Sequence, residues 1–220
     1  METMGTNDTS TAGASARREY ERRQASDEAK IRETWGDGRI GTIAVALSGE
    51  RQSTIAWKSG AVGEAEVGRA LDAIASEHVV VLHDRRVPRS RANIDHFVVT
   101  RAGVWVVDAK HYRDKRPRLH VEGGLFRPRS EKLIVGSDRT KLVESVLRQV
   151  ALVRDVVGPV DVHGTLCFVD ADWPLFGSSF TVRGVEVCWP KRLAKQLATL
   201  EGTVDVAAVA AAIAAHFLPA

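Results

Sequence analysis

The fold of this chain is decided by residues 93–110, NIDHFVVTRAGVWVVDAK, which read as two β-strands joined by a tight turn. Two runs of β-branched and aromatic residues flank residues 101–103, which have the composition of a hairpin turn. Ionisable residues stand at the strand ends away from the turn, with Asp95 on the first strand and Asp108 and Lys110 on the second. We therefore expect these three side chains at the same end of a hairpin.

The faces on which these side chains lie follow from strand geometry. Asp108 and Lys110 share one face because strand side chains alternate. Asp95 joins them if the loop has two residues, and it does not if the loop is odd and lacks a bulge. Two interpretations remain open. One is an aspartate–lysine ion pair at a sheet edge, and the other is a divalent-metal site whose lysine orients a water or stabilises charge on a phosphate.

The composition is that of an ordinary globular protein, with 220 residues, 44% hydrophobic and 27% charged, enough for one domain and an appendage. Cys167 and Cys188 stand in apolar runs without a CxxC motif, which indicates buried thiols in a reducing compartment rather than a disulfide or a metal site. The longest uncharged run, Val206–Leu218, is too short for a bilayer span of about 20 residues, and the N-terminus lacks a signal-peptide pattern. We therefore predict a cytoplasmic protein with no membrane partner.

Positive charge is concentrated in one part of the chain. The net charge is only +3, yet Arg85–Arg148 holds 16 lysines and arginines against seven aspartates and glutamates. A basic segment around paired carboxylates suggests an anionic polymer as partner, with phosphate as the obvious charge. The alternative is an ordinary solvated basic surface, which charge asymmetry alone would favour.

Two parts of different character make up the chain. Residues 1–57 comprise a polar start predicted to be disordered to about residue 14, a charged helix over Arg17–Thr34 and a short β excursion over Ile40–Trp57. The charged helix has too little apolar surface for a core position, which favours an exposed or partner-seeking arm. Residues 58–220 are predicted to form the main domain.

Hydrophobic periodicity predicts an α/β order within that domain. A helix from Ser59 to about Ser76 carries Glu64 on its apolar stripe, where Glu64 either caps the helix or reaches the hairpin carboxylates. Before the organising hairpin, the sequence predicts a strand at Val79–Leu82 and a basic loop at Arg85–Pro88. After it, the sequence predicts a second hairpin at Val121–Phe126 and a helix at Asp138–Val157, with Gln149 beside the apolar stripe of that helix. The remaining predicted elements are strands at Gly164–Val169 and Val185–Trp189 and helices at Pro190–Leu200 and Thr203–Phe217. That order predicts a mixed sheet flanked by helices rather than a doubly wound parallel sheet.

Three short motifs, in this order, resemble one family. They are Gly60–Glu64 (GAVGE), Asn93–His96 (NIDH) and Asp108–Lys110 (DAK), and they resemble the nuclease-related domain, NERD, a branch of the PD-(D/E)xK nuclease superfamily. The resemblance covers about residues 58–190 and leaves the N-terminal arm outside. It implies the α/β restriction-endonuclease-like fold, a mixed β-sheet core flanked by helices, here with an N-terminal charged helical arm.

The resemblance also implies a catalytic site, position by position. Asp95 and Asp108 match metal ligands, and Lys110 matches the lysine that activates or orients the attacking water. Glu64 matches the acid of the first helix, which holds metal directly or through water. Gln149 matches a glutamine that related enzymes bring to the site from the following helix.

The segment around the lysine carries one more expected ligand and one departure from the family. The backbone carbonyl of Ala109 is expected as an additional metal ligand. Family members often have a glycine shortly after the aromatic residue that follows the lysine, whereas Tyr112 here is followed by Arg113, Asp114 and Lys115. A different loop over the site is therefore expected.

Together these expectations describe a metal-dependent nuclease that hydrolyses phosphodiester bonds in DNA with little sequence preference. Its cofactor would be Mg²⁺ or Mn²⁺, and desolvation near the metal would lower the pKa of Lys110. Related nucleases often pair to cut two strands, so a homodimer is a candidate assembly. The basic residues expected to grip backbone phosphates are Arg85, Arg86, Arg113, Lys115, Arg116 and Arg118.

Two other functions remain open on the sequence alone. In the first, the chain is a non-catalytic nucleic-acid-binding or sensing module that retains the nuclease fold. In the second, it is a structural protein assembled through the arm Arg17–Thr34. Individual residues also have plainer interpretations: His96 as a structural hydrogen-bonding histidine, and Trp173 and Trp189 as core residues rather than base-stacking platforms. The intact set of acids and lysine favours the catalytic interpretation.

Overall fold

The computed structural model describes residues 11–35, 52–90, 92–124, 127–174 and 179–220. Its helices are α1 (Ala14–Trp35), α2 (Gln52–Asp72), α3 (Thr140–Val157), α4 (Pro190–Leu197) and α5 (Val206–His216). Its strands are β1 (Val79–Arg86), β2 (Asn93–Thr100), β3 (Gly103–His111), β4 (Pro117–Gly124), β5 (Arg127–Val135), β6 (Ser137–Asp138), β7 (Val162–Val169), β8 (Phe180–Val182) and β9 (Val185–Cys188). Within these ranges, no helix has the length and apolar character needed to span a bilayer.

Six strands form the main sheet, in the order β1-β2-β3-β7-β9-β8. The pairs β1–β2 and β2–β3 are antiparallel, β3–β7 and β7–β9 are parallel, and β8 returns antiparallel to β9. The parallel β3–β7 pair requires a crossover connection, which contains α3. The predicted mixed sheet flanked by helices is therefore confirmed, and the arrangement is that of the restriction-endonuclease-like fold.

Helices cover both faces of this sheet, which explains why its central strands are apolar on both sides. Phe97 belongs to the face that packs against α3 and α5, where its ring lies 5.2 Å from that of Phe217. Trp105 belongs to the opposite face, which packs against Val67 and Leu71 of α2. Phe97 and Trp105 are buried core residues, and burial of side chains of this size stabilises the fold by about 1.5–3 kcal/mol each.

Gly164 lets α3 lie close on the sheet. A Cβ at this position of β7 would stand 2.5 Å from Val146 Cγ1 and 3.1 Å from Val150 Cγ2, both on α3. Real Cβ atoms do not approach that closely, so any larger residue would push the helix outward. The glycine thereby sets the distance between α3 and the sheet.

A second, smaller sheet of β4, β5 and β6 follows the β3 strand. The predicted hairpin at Val121–Phe126 exists but is longer, because β4 and β5 pair from Pro117↔Val135 to Gly124↔Arg127. Residues 125 and 126, at its tip, lie outside the described residues. The extra length carries basic and acidic side chains well away from the hairpin turn.

The β excursion predicted before α2 is wrong for the part of it that the structure describes. The β excursion was expected over Ile40–Trp57, but Gln52–Trp57 is the first part of α2, which begins before the predicted start at Ser59. Nothing in that stretch stops a helix, since it lacks proline and contains good helix formers. Residues 36–51, with the remainder of the predicted excursion, lie outside the described residues.

The basic loop predicted at Arg85–Pro88 is also partly wrong. Arg85 and Arg86 belong to β1, where Arg85 pairs with Ile94 and Arg86 with Asn93. Arg85 is only 2% exposed, and its Nη1 donates to Phe217 O at 3.3 Å. Pairing with β2 extends β1 past the apolar run, so a strand defined by apolar residues alone ends too early.

The N-terminal helix is better anchored than an exposed arm would be. Residues 1–10, most of the predicted disordered start, lie outside the described residues, but α1 begins at Ala14 and its first turn packs on the domain. Ala16 is 3% exposed, and Ser15 hydrogen-bonds to Asp84 of β1. The later part of the helix is mostly exposed, as predicted for this charged segment.

Cys167 and Cys188 are buried free thiols, as predicted. They stand opposite each other on β7 and β9. A hydrogen bond with Cys167, together with burial, raises the pKa of the Cys188 thiol above its ordinary value. Cys188 is therefore a neutral side chain of the core.

Candidate active site

The turn between β2 and β3 decides which acids meet. The two strands pair up to Thr100↔Gly103, so the loop between them has two residues. Continued one step beyond the pair His96↔Val107, this register brings Asp95 to the level of Asp108. The backbone N–H of Ala109 donates to Asp95 Oδ2 at 2.8 Å and ties the two strand ends together.

Lys110 lies beside these acids. Its Nζ is 2.6 Å from Asp108 Oδ2 and donates to Ala109 O at 3.1 Å. The side chains of Lys110 and Asp108 are 24% and 13% exposed, so solvent still reaches both. The ion-pair interpretation therefore describes the contacts as they stand, and the partial exposure leaves the pair accessible to a ligand.

Glu64 reaches the same place from α2. Gly63 permits this approach, because a Cβ there would lie 3.1 Å from His111 Cβ at the end of β3. Burial, and then the negative charges of Asp95 and Asp84, raise the pKa of Glu64 to about 9. Since α2 begins well before Glu64, a capping role is excluded, and the electrostatic coupling indicates that Glu64 is near the hairpin acids.

Negative charge is crowded at this end of the sheet. Burial, and then the charge of Asp108, raise the pKa of Asp95 to about 7. The expected lowering of the Lys110 pKa is wrong: burial alone would lower it, but the charges of Asp108 and Asp95 outweigh burial and raise the pKa above its ordinary value. Lys110 is therefore a cation at neutral pH, and the surplus of carboxylates favours binding of a further cation.

Gln149 faces this region from α3. Its Nε2 donates to Asn93 O at 3.5 Å, at the start of the strand that carries Asp95. Its Oε1 is buried without a hydrogen-bond partner among the described residues. A buried amide oxygen without a partner is costly, so this atom is a ready acceptor for a water or a ligand group.

The cations predicted to grip phosphates are placed unevenly. Arg85 is buried, as described above, and its side chain is not presented to solvent. Arg113 lies 3.7 Å from Asp170, and Arg116 lies 2.8 Å from Asp172. Arg86, Lys115 and Arg118 are exposed.

A polar groove that the sequence interpretation missed begins two residues beyond Lys110, at Tyr112. It lies between the small sheet and the start of α3, and its volume is about 1060 Å³. Cations outnumber acids in its lining by five to three. These cations are Arg129, Lys132, Arg139, Lys141 and Arg183. No local signal marks them as a group, because they come together only when β5, α3 and the β8–β9 turn pack.

Asp84 is a further acid that the sequence interpretation missed. The predicted strand ends at Leu82, but β1 continues to Arg86, and Asp84 lies at the level of Asp95, between the pairs His83↔His96 and Arg85↔Ile94. Besides burial, the charges of Asp108 and Asp84 raise the pKa of Asp95, so the three acids are close to one another. An Asp beyond the apolar run carries no strand signal of its own, which is why the pattern alone does not find it.

His96 has the structural role expected of it. It is fully buried, and its Nδ1 lies 2.9 Å from Nδ1 of His83, whose Nε2 is 2.8 Å from Asp72 Oδ1. Burial, and then the neighbouring His83, lower the pKa of His96 to about 3. His96 is therefore a neutral residue that links β2 to β1 and α2.

Donor chemistry decides whether these residues suit a divalent cation. Asp95, Asp108 and Glu64 supply carboxylate oxygens, which hard cations such as Mg²⁺ prefer, and burial together with neighbouring acids raises the pKa values of Asp95 and Glu64. As the side chains stand, no group of three or more His, Cys, Asp or Glu in the described ranges is arranged to hold a metal ion. Lys110 instead contacts the Asp108 and Ala109 oxygens. The oxygen donors therefore suit a divalent cation by their chemistry, although their present arrangement is that of an ion pair.

Comparison with known proteins gives one match. Residues 59–169, about half of the chain, match the family model described as the nuclease-related domain, NERD. No curated protein and no solved structure matches the chain. The matched range contains the three acids, the lysine and the glutamine implied by the resemblance. With these residues gathered at one end of a restriction-endonuclease-like sheet, the chain belongs to the NERD family.

Proposed function

We propose that this protein is a metal-dependent nuclease that hydrolyses phosphodiester bonds in DNA with little sequence preference. The observation that carries the proposal is the meeting of Asp95, Asp108 and Lys110 at one hairpin end, within electrostatic reach of Glu64. Membership of the NERD family supports a nuclease-related domain. Catalysis, the metal and the DNA substrate are our proposal.

The residue types suit this chemistry. Hydrolysis of a phosphodiester needs charge neutralised on the phosphate and a hydroxide placed in line with the leaving group. Asp95, Asp108 and Glu64 would hold Mg²⁺ or Mn²⁺, with the carbonyl of Ala109 as a further ligand. The bound cation would supply charge neutralisation and a water of lowered pKa. The chain's contribution is the placement of these oxygens on two paired strand ends and one helix.

Lys110 acts as a cation rather than a base in this proposal. Its raised pKa keeps the ammonium protonated at neutral pH, so it would donate hydrogen bonds to phosphate oxygens and stabilise the negative charge that develops there. Gln149 adds a polar side chain to the site from α3. Its buried Oε1, without a partner among the described residues, would accept a hydrogen bond from the attacking water.

A polyanionic substrate is supported by the groove that begins at Tyr112. Arg139 lies over the Tyr112 ring at 5.8 Å, close to the segment that carries Lys110. A groove in which cations outnumber acids would hold successive backbone phosphates, and such contacts carry little sequence information. The expected phosphate-binding residues therefore shift from the predicted set, in which Arg85 is buried, toward the lining of this groove.

Cleavage of labelled DNA in the presence of Mg²⁺ or Mn²⁺ tests the proposal. The wild-type chain is expected to cut, and Asp108→Ala is expected to abolish cutting while the protein stays folded by circular dichroism. Asp155→Ala, which removes an exposed acid of α3, is the matched control and should cut at the wild-type rate. Equal rates for wild type and Asp108→Ala would refute the assignment.

A non-catalytic nucleic-acid-binding or sensing module is the second candidate. The observation that favours it is the contact of Lys110 with both Asp108 and Ala109, which engages two oxygens needed for a metal. This candidate predicts salt-dependent DNA binding that is the same with EDTA and with Mn²⁺. A calorimetric titration that shows a tight Mn²⁺ site would exclude it.

The domain boundary at residue 58 and the homodimer stay predictions. Light scattering of the full chain with and without a DNA duplex measures the assembly. A stable monomer in both conditions would remove the homodimer.

A further inference from the structure

The start of α1 lies on the candidate site, although the family match begins only at residue 59. Gly13 has a φ of 74°, and a Cβ on it would stand 3.0 Å from Ala61 O and 3.4 Å from Glu64 Cβ. Both the backbone conformation and the space favour glycine here. The chain therefore passes directly over Glu64 and covers it on one side.

Ser15 holds Asp84 with both of its donors. Its backbone N–H donates to Asp84 Oδ2 at 2.5 Å, and its hydroxyl donates to Asp84 Oδ1 at 2.6 Å. Asn93 Nδ2 donates to Ser15 Oγ at 2.9 Å and to Asp84 Oδ1 at 3.1 Å. Hydrogen bonds to a carboxylate are among the stronger ones in proteins, so this carboxylate has one well-defined orientation.

These hydrogen bonds continue into the site. Asp84 lies at the level of Asp95 on the neighbouring strand, between the pairs His83↔His96 and Arg85↔Ile94, and Asn93 begins the strand that carries Asp95. The backbone oxygen of Asn93 accepts from Gln149 Nε2 at 3.5 Å. A connected path thus runs from α1 through β1 and β2 to α3, and it passes beside Asp95.

We propose that Ser15 is a positioning residue of this site: it fixes Asp84 and Asn93, and through them the strand end that presents Asp95 to a divalent cation. The inference rests on the proposed function, because it concerns cation binding at the same carboxylates. Its rival is a purely structural role, in which the first turn of α1 only covers apolar surface through Ala16. The two roles differ in what happens to cation affinity when the Ser15 hydroxyl is removed.

The chain holds a matched control for this contact. Thr140, the first residue of α3, donates its backbone N–H to Asp138 Oδ1 at 2.8 Å and its hydroxyl to the same oxygen at 2.7 Å. The donors are of the same kind as at Ser15, but Asp138 is an exposed residue of the small sheet, and the Thr140 hydroxyl also accepts from the Leu133 N–H at 3.2 Å. Thr140→Ala therefore measures the loss of such a contact without touching Asp84.

Calorimetric titration of the full chain with Mn²⁺ alone, without nucleic acid, tests the inference. Ser15→Ala is expected to weaken Mn²⁺ affinity about tenfold, the low end of what loss of an outer-shell partner typically costs. Ser15→Thr restores a hydroxyl and should bring the affinity back to about that of the wild type, while Thr140→Ala should leave it unchanged. Melting temperatures recorded for each variant separate lost stability from lost affinity.

Three results would decide the matter. Unchanged Mn²⁺ affinity in Ser15→Ala, whatever its melting temperature, would overturn the positioning role and leave the proposed nuclease standing. Absence of Mn²⁺ binding by the wild-type chain would instead remove the proposed function, and this inference with it. If Ser15→Ala fails to fold, Asp84→Asn, which keeps the side-chain shape and removes the charge, is expected to weaken Mn²⁺ binding at least as much; unchanged affinity there would overturn the role equally.

Discussion

Two lysine–carboxylate pairs of the same length lie in different surroundings. Lys110 is 2.6 Å from Asp108 at the end of β3, and Lys132 is 2.6 Å from Glu122 in the small sheet. The side chains of the first pair are 24% and 13% exposed, and those of the second are 33% and 49% exposed. Water screens the second pair, whereas the first adjoins further buried carboxylates. Because the two pairs have the same separation of charges, the distance does not distinguish them, whereas their surroundings do.

The same contrast divides the molecule into two regions with different proposed tasks. The end of the main sheet gathers acids from β1, β2, β3 and α2, and the pKa values of Asp95 and Glu64 are raised there, which suits chemistry on a bound cation. The small sheet and the start of α3 line a groove whose charges are mostly exposed, which suits gripping a phosphate backbone. Variants in the first region should change the rate of cleavage, and variants in the second should change binding.

Replacement of Lys110 should have the largest effect. Lys110→Met removes the ammonium that would stabilise the phosphate, so cleavage at saturating DNA should fall by at least about a hundredfold. The melting temperature should also fall, because Asp108 loses its cation in a crowded site. Lys132→Met, which breaks the exposed pair, should change the melting temperature little. Equal shifts in melting temperature for the two variants would contradict the distinction between the pairs.

Removal of groove cations should have an intermediate effect, confined to binding. Arg139→Gln combined with Lys141→Gln should weaken DNA binding and reduce the slope of log affinity against log salt by about 2, since each phosphate contact contributes about 0.9. Cleavage at saturating DNA should be unchanged.

A second double variant sharpens that test. Arg113→Gln with Arg116→Gln removes cations that are already paired with Asp170 and Asp172, so its effect on the salt slope should be smaller. Fluorescence anisotropy at several salt concentrations measures both variants. A larger slope change for the paired arginines would place the DNA track there instead of in the groove.

Neutralisation of Asp95 should have a small effect on stability, opposite in sign to that of Lys110→Met. Asp95→Asn keeps an acceptor for the Ala109 N–H and removes one of several crowded negative charges, so the melting temperature should rise by a few degrees. Cleavage should be lost in the same variant. A lowered melting temperature in a thermal scan would show that the charge of Asp95 is already compensated, and would weaken the contrast between the two regions.

Local patterns predicted the hairpin and the face shared by Asp108 and Lys110, because side-chain alternation is a property of each strand alone. The α/β class and the mixed sheet followed from the order of elements. The predictions that were wrong concern features that depend on packing between distant parts of the chain. Pairing with β2 carries β1 past Leu82 and buries Arg85, and the joint charge of Asp95 and Asp108 raises the Lys110 pKa that burial alone would lower.

By itself, the sequence determined the acids, the lysine, their spacing and the family to which these motifs belong. Only the tertiary structure decided that Asp84 lies close to Asp95, that the start of α1 closes over Glu64, and that cations from three elements line one groove. The physical reason is that strand alternation and helix period act over a few residues, whereas burial, electrostatic coupling and contact between distant segments exist only once the chain has packed.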